Sequence, residues 1–181
     1  TNPPIVVWSR GNYDTNDGLV KSLSNSYVNT AADYNAYLGM GETWSVPAVA
    51  RVDSTKYATT RRPGGIDFAL FMGSGFSDNV SEGKTFYVLA ALSGDVVRAY
   101  TLADGTTATT VLQTGQPLRT SIVASPAVYT VDDAGNSPQG LNFLLNPTEA
   151  RARWAYFGDL HSRVWRFDAN NPQNAPTAII D

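Results

Sequence analysis

Short apolar stretches of strand length, separated by polar and glycine-rich turns, run through most of the chain after residue 43. They are rich in β-branched and aromatic residues, which fit a pleated, half-buried surface, so they predict strands. The predicted strands fall into two groups. The first group covers about 44–52, 66–73, 85–92 and 96–102, and the second covers about 122–131, 153–158 and 163–168, with a fourth strand beginning at Ile179.

The two groups repeat each other in order. The opening strand, WSVPAVARV from Trp44, returns loosely as ASPAVYTV from Ala124. In each group a second strand then runs into a glycine and a third strand follows it; these pairs are Phe68–Gly73 with Thr85–Leu89, and Trp154–Gly158 with Arg163–Asp168. The prolines Pro47 and Pro126 are 79 residues apart, and the two glycines are 85 apart. Anchors that keep their order and nearly their spacing indicate one supersecondary unit used more than once.

Four-stranded antiparallel units in tandem predict an all-β chain and, more narrowly, a partial β-propeller of about two blades with long loop insertions. The units are residues 44–121 and 122–181, after a lead-in of residues 1–43 that contains a strand at Ile5–Trp8 and a polar loop. A β-sandwich with a coincidental repeat is the alternative. Since a propeller needs about four blades to close, the fold is incomplete on its own. We therefore expect it to pack on the rest of a longer polypeptide or on neighbouring chains.

Composition narrows the classes of function. Hydrophobic residues make up 43% of the 181 residues and charged residues 16%, which excludes a disordered chain. The net charge of −3 gives no general attraction to phosphate, so nucleic acid is not an expected partner. No apolar run approaches the roughly 20 residues that span a bilayer. The chain has no cysteine, which excludes disulfides, thiolate metal sites and a cysteine nucleophile.

Five short motifs follow one another along the chain. They are WSVP from Trp44, GSGF from Gly73, YVLAALSG from Tyr87, SPAV from Ser125 and GDLHSRVWRFD from Gly158. In this order they resemble the C-terminal β-propeller of the PilY family, the tip-associated adhesins and assembly factors of type IV pili. Two positions depart from the pattern of that family: Ala90 replaces an aspartate, and Ser162 replaces a glycine in the last motif.

The resemblance implies an extracellular, non-catalytic protein at the tip of a type IV pilus, which binds minor pilins and surfaces through its propeller loops. It leaves the host or surface receptor unidentified. A rival from another class is an enzyme of the quinoprotein dehydrogenase type, which is also built from tryptophan-rich propeller blades. A third interpretation is a purely structural propeller subunit of a larger assembly.

The resemblance also implies calcium as a modulator, because the family often carries a D-x-[DN]-x-D-G loop between its S-P and G-D-L strands. The side chains at the corresponding place are Asp132, Asp133 and Asn136, which are therefore the candidate calcium ligands. A calcium site needs about six to eight oxygens, and Ala134 stands where a further acidic ligand is expected. A solvated turn that uses Asp and Asn for its backbone geometry is the alternative. A second alternating set comprises Asn12, Asp14 and Asn16, and it lacks the closing glutamate of an EF-hand.

The remaining reactive side chains predict structure rather than catalysis. His161, the single histidine, follows the G-D-L sequence at a predicted turn and has no obvious nucleophile in its local sequence. Ser74 lacks the context of a nucleophile elbow. The tryptophans Trp44, Trp154 and Trp165 fall in predicted strands. We expect them to fill the packing layers between the blades, with an aromatic platform for sugars as the alternative.

Overall fold

The structure, a computed structural model, describes residues 37–59, 62–77, 82–102, 121–131 and 150–180. Its strands are β1 (Ala48–Arg51), β2 (Phe68–Gly73), β3 (Thr85–Ala90), β4 (Val96–Thr101), β5 (Ala127–Val131), β6 (Arg151–Gly158), β7 (Val164–Asp168) and β8 (Thr177–Ile180). Each of the eight predicted strands is present, with bounds that differ by a few residues. The strand predicted at Ile5–Trp8 lies outside the described residues.

The strands form two separate four-stranded antiparallel sheets, so the predicted all-β class and the two groups of four are confirmed. In each sheet the strands follow their sequence order, β1-β2-β3-β4 in the first and β5-β6-β7-β8 in the second. Neighbouring strands in each sheet are consecutive in the sequence and antiparallel, and their connections range from residues 91–95 between β3 and β4 to residues 132–150 between β5 and β6. A 3-10 helix at Ser54–Tyr57 lies between β1 and β2, and the side chain of Asp53 caps it by accepting a hydrogen bond from the amide of Thr55.

The register of the strands shows that the sequence repeat is also a structural repeat. Ala48 lies opposite Phe71 in the first sheet, and Ala127, 79 residues later, lies opposite Tyr156, which is 85 residues after Phe71. The second and third strands agree in the same way: Gly73 pairs with Phe86, and Gly158 pairs with Val164. Residues of the first three strands therefore have counterparts in the other sheet, up to the register shift between Tyr129 and Thr130.

This register assigns side chains to two faces, because neighbouring residues of a strand point to opposite sides of the sheet. Face A of the first sheet carries Ala50, Ala69, Phe71, Phe86 and Val88, and its counterparts in the second sheet are Tyr129, Trp154, Tyr156, Val164 and Arg166. Face B of the first sheet carries Val49, Leu70, Met72, Tyr87 and Leu89, and its counterparts are Val128, Ala155, Phe157, Trp165 and Phe167. The two sheets can thus be compared face by face.

The main core forms where face A of the first sheet packs on face B of the second. The rings of Phe86 and Phe157 stack there with their centroids 4.2 Å apart, and Phe167 lies 6.1 Å from Phe71 and 5.4 Å from Phe86. Unlike faces therefore meet, so the two repeats are arranged head to tail. A two-fold sandwich of the same repeats would instead bring like faces together.

A second, smaller core lies on face B of the first sheet. Tyr37 and Met40 cover Met72, Tyr87 and Leu89 on this face. The ring of Tyr37 stacks on that of Tyr87 at 5.6 Å, and its hydroxyl donates a hydrogen bond of 2.7 Å to the carbonyl of Gly94. Both faces of the first sheet are therefore covered around β3, which explains why every residue of β3 is buried.

Candidate interaction surface

The end of the sheets at which β2 and β6 finish, here called the loop end, is held together by the segment before β5. The amide of Gly75 donates to the carbonyl of Ile122 at 3.0 Å, and the amide of Ile122 donates to the carbonyl of Gly83 at 2.9 Å. Ile122 also lies so close to Gly73 that a β-carbon there would be 2.3 Å from its carbonyl oxygen. The glycine that ends β2 is thus required by the close approach of this segment.

Apolar side chains are exposed at the loop end. Trp44 is 73% exposed and Val46 is 71% exposed, and Leu160 is exposed in the turn between β6 and β7. The backbone beneath them is fixed: the amide of Val46 donates to the hydroxyl of Ser125 at 2.8 Å, and the amide of Leu160 donates to the carbonyl of Ser121 at 3.1 Å. We call Trp44, Val46 and Leu160 the loop-end surface. Exposed apolar side chains that gather at one place mark candidate binding surfaces.

The three tryptophans that were expected to pack between the sheets have different environments. The prediction was wrong for Trp44, which precedes β1 and places its ring 6.5 Å from that of Phe76 at the surface. Trp165 is half-buried and packs against the main core. Trp154 lies on face A of the second sheet, with the guanidinium of Arg153 4.2 Å from its ring and that of Arg166 at 4.4 Å. Pro47 has no amide to donate, so the strand begins after it and Trp44 lies outside the ladder.

The turn that carries His161 is organised by Asp159. One carboxylate oxygen of Asp159 accepts from the amides of His161 and Arg163 at 2.9 and 3.1 Å. The other accepts from Arg163 Nε at 2.8 Å and from Trp165 Nε1 at 2.9 Å. Asp159 and Arg163 are both buried, so this ion pair fixes the turn in a region of low dielectric. His161 lies in a turn, as predicted, and Asp159 has a structural task there.

Ser162 completes the same turn in a left-handed conformation, with φ of 65°. This conformation favours glycine because a β-carbon crowds the backbone. The departure from the family pattern at Ser162 therefore falls on a position whose geometry suits the glycine of that pattern. Among the described residues, Ser162 is the one residue other than glycine with a positive φ.

Two tyrosine hydroxyls link the sheets at the opposite end. Tyr57 donates to the carbonyl of Ala169 at 2.9 Å, and Tyr100 donates to the carbonyl of Pro172. Burial raises the pKa of Tyr57 well above its ordinary value, and burial also raises the pKa of Tyr100. Both hydroxyls are therefore held in the protonated form that donates these hydrogen bonds.

The charged side chains near the strand ends pair locally. Arg62 donates to Asp95 from Nε at 2.9 Å and from Nη2 at 2.6 Å, and Arg153 lies 2.5 Å from Asp168. Ser74 is buried, and its hydroxyl accepts a hydrogen bond of 2.8 Å from the amide of Thr85. These side chains therefore stabilise turns and strand ends.

The candidate calcium ligands Asp132, Asp133 and Asn136 lie outside the described residues, as do Asn12, Asp14 and Asn16. Within the part of the chain that the structure describes, no three side chains of His, Cys, Asp or Glu come together in a group that would hold a metal ion. In the same part of the chain, no helix has the length and apolar character needed to cross a membrane.

No protein-family model, no curated protein and no solved structure matches this chain. The resemblance to the PilY family therefore rests on the sequence motifs alone.

Proposed function

We propose that this chain is an extracellular, non-catalytic binding and assembly protein of the type IV pilus tip, and that its two sheets are consecutive blades of a β-propeller. The observation that carries the proposal is the head-to-tail packing of two sheets with the same strand order. A propeller consists of such four-stranded sheets repeated around an axis. The motifs that resemble the PilY family occupy equivalent strands and turns of this repeat.

The pair of packed sheets is suited to a protein that works under mechanical load. Each sheet is a four-stranded antiparallel ladder, and the aromatic core between face A of the first sheet and face B of the second joins the two sheets. Rigid scaffolds of this kind position loops, and loops are where binding residues concentrate. We infer that the sheets resist deformation while the loop end makes contact.

The loop-end surface supplies the binding chemistry in this proposal. Trp44, Val46 and Leu160 are exposed and apolar, and tryptophan is among the residues that contribute most to protein interfaces. The matching partner is a protein surface with an apolar recess that accepts an indole ring. Minor pilins of a type IV pilus are the partners that the family resemblance favours, and the host or surface receptor stays open.

The proposal includes a calcium site whose side-chain ligands are Asp132, Asp133 and Asn136. Carboxylate and amide oxygens are suitable calcium ligands, and backbone carbonyls of the same loop would complete the coordination. Calorimetric titration with calcium tests this part directly. Heat of binding that disappears in an Asp132→Ala, Asp133→Ala double variant is expected, and no heat at millimolar calcium would contradict it.

The binding proposal is tested with purified minor pilins of the organism that encodes the chain, captured on a sensor surface. Trp44→Ala is expected to weaken binding at least about tenfold, because truncation of a central interface tryptophan costs more than about 1.4 kcal/mol. Leu92→Ala is the matched control, since Leu92 is 79% exposed but lies in the turn between β3 and β4, away from the loop end.

Two results would contradict the proposal. The first is that the unaltered chain binds none of the minor pilins. The second is that Trp44→Ala and Leu92→Ala reduce binding equally, because the loop end would then have no special part in recognition. Both substitutions are at exposed side chains, so circular dichroism spectra of the variants should match that of the unaltered chain.

A further inference from the structure

Two faces point away from the interface between the sheets: face B of the first sheet and face A of the second. Some of their side chains are exposed although the equivalent side chains inside the interface are packed. Val128 on face B of the second sheet packs against the main core, but its counterpart Val49 on face B of the first sheet is 59% exposed. Ala50 on face A of the first sheet also packs against this core, but its counterpart Tyr129 is 41% exposed. Each repeat therefore has one face in the observed interface and leaves apolar side chains of the other face uncovered.

The uncovered side chains lie on strands equivalent to those that make contact in the observed interface. Between the sheets, β1 approaches β5 and β6 closely, so the interface includes the first strands of both units. The uncovered side chains lie on the counterparts of these strands. Tyr129 is on β5, the counterpart of β1. Val49 is on β1, the counterpart of β5, and the exposed Phe68 is on β2, the counterpart of β6. Tyr37 and Met40 cover the part of face B around Tyr87, and they leave the side chains of Val49 and Phe68 exposed.

We propose that face A of the second sheet docks on the exposed part of face B of the first sheet in a second copy of this chain, by the same head-to-tail packing that joins the two sheets within one copy. These two surfaces occupy positions equivalent to those of the two surfaces that meet within one copy, so the same packing can continue from one copy to the next. Heterologous contacts of this kind form a ring when the rotation closes. With the two described sheets from each copy, rings of two to four copies would hold about four to eight sheets, the usual size of a propeller.

Face A of the second sheet has a composition that suits an interface. Trp154 and Tyr156 lie at its centre, and Arg166 lies across the ring of Trp154. Tyrosine, tryptophan and arginine are the side chains most enriched at the energetic centres of protein interfaces. The inference concerns self-association alone and does not depend on the pilus proposal.

The test uses the 181-residue chain and two single variants, each at an exposed position. Sedimentation velocity of the unaltered chain is expected to show a discrete oligomer at a multiple of 19.5 kDa. Tyr129→Arg and Val49→Arg should each weaken self-association at least about tenfold, because each places an unpaired charge in the proposed interface. Leu92→Arg, at an exposed apolar side chain outside both faces, should leave the oligomer unchanged.

Mixing the two variants separates this arrangement from a symmetric dimer. The Tyr129→Arg chain keeps an intact face B, and the Val49→Arg chain keeps an intact face A, so a head-to-tail interface predicts a 1:1 complex from two variants that do not associate alone. Failure of the mixture to associate would overturn the proposal. So would an oligomer that Val49→Arg leaves intact, which indicates a symmetric contact of face A with itself. A chain that stays monomeric would also overturn it, and would point to another protein or another polypeptide segment as the occupant.

Discussion

Ser74 and Asp159 occupy the same position in the two repeats and perform the same task. Each directly follows the glycine that ends the second strand of its sheet. The side chain of Ser74 accepts a hydrogen bond of 2.8 Å from the amide of Thr85, the first residue of β3, and that of Asp159 accepts one of 3.1 Å from the amide of Arg163, which directly precedes β7. The main-chain hydrogen bonds repeat as well. The amide of Ser74 donates to the carbonyl of Thr85, and the amide of Asp159 donates to the carbonyl of Arg163. The repeat therefore extends to individual hydrogen bonds.

Loss of either side chain should destabilise the fold, and Asp159 should matter more. Ser74→Ala leaves the buried amide of Thr85 without this partner, which costs about 1–3 kcal/mol. Asp159→Ala also leaves the buried guanidinium of Arg163 without its carboxylate, and breaking a buried ion pair costs about 3–5 kcal/mol. Urea denaturation of the two variants measures both losses. Equal losses would contradict the idea that the ion pair adds to the shared hydrogen bond.

The conformation of Ser162 predicts opposite effects for two substitutions. Ser162→Val should lower the free energy of unfolding by about 1–2 kcal/mol, because a β-branched residue is strained at positive φ. Ser162→Gly removes the β-carbon, and its gain in the folded state is partly offset by greater entropy of the unfolded chain, so stability should be unchanged or higher by up to about 1 kcal/mol. Thermal unfolding of both variants checks the prediction. A glycine variant that is less stable than the valine variant would contradict the assigned conformation.

Stability should fall in alkaline solution because of the buried tyrosines. Burial raises the pKa of Tyr57 and of Tyr87 above the ordinary value of 10.0. From about pH 10 upward the unfolded chain loses these protons while the folded chain keeps them, so the free energy of unfolding decreases as the pH rises. Below pH 10 both states are protonated and this contribution is fully present.

Tyr57→Phe isolates one part of that pH dependence. At pH 8 the variant should be less stable by about 1 kcal/mol, because the hydrogen bond to Ala169 is lost. Between pH 8 and pH 11 its free energy of unfolding should fall less than that of the unaltered chain. Urea denaturation at both pH values gives the comparison, and identical falls would show that Tyr57 titrates normally in the folded protein.

The strand positions could be predicted from the sequence because turn residues and glycines bound them on both sides. The turn at Ser93 to Asp95 and the glycines at the ends of β2 and β6 punctuate the apolar stretches. The first strand was predicted to begin at Trp44, and it begins at Ala48 because Pro47 cannot donate a ladder hydrogen bond and the amide of Val46 is bound to Ser125.

The arrangement of faces could not be predicted from the sequence. Alternation of apolar and polar residues identifies the buried face only when the other face is in water. All residues from Thr85 to Ala90 are buried, so β3 carries no such alternation. The exposure of Trp44 could not be predicted either. Tryptophan is highly buried on average, and this average does not determine the burial of one residue. Only the pairing of strands separates face A from face B.

The central claim is that unlike faces of the two repeats meet, and a double-mutant cycle on Phe86 and Phe157 tests it most directly. These rings lie on face A of the first sheet and face B of the second, and they stack at 4.2 Å. The control cycle pairs Phe157 with Tyr87, which lies on face B of the first sheet and points away from the interface. Leucine replaces each residue, and stability is measured by urea denaturation.

The claim predicts a coupling energy of about 0.5–3 kcal/mol for Phe86 with Phe157, and additivity within about 0.5 kcal/mol for Tyr87 with Phe157. Additive effects for Phe86 and Phe157 together with coupling between Tyr87 and Phe157 would contradict it.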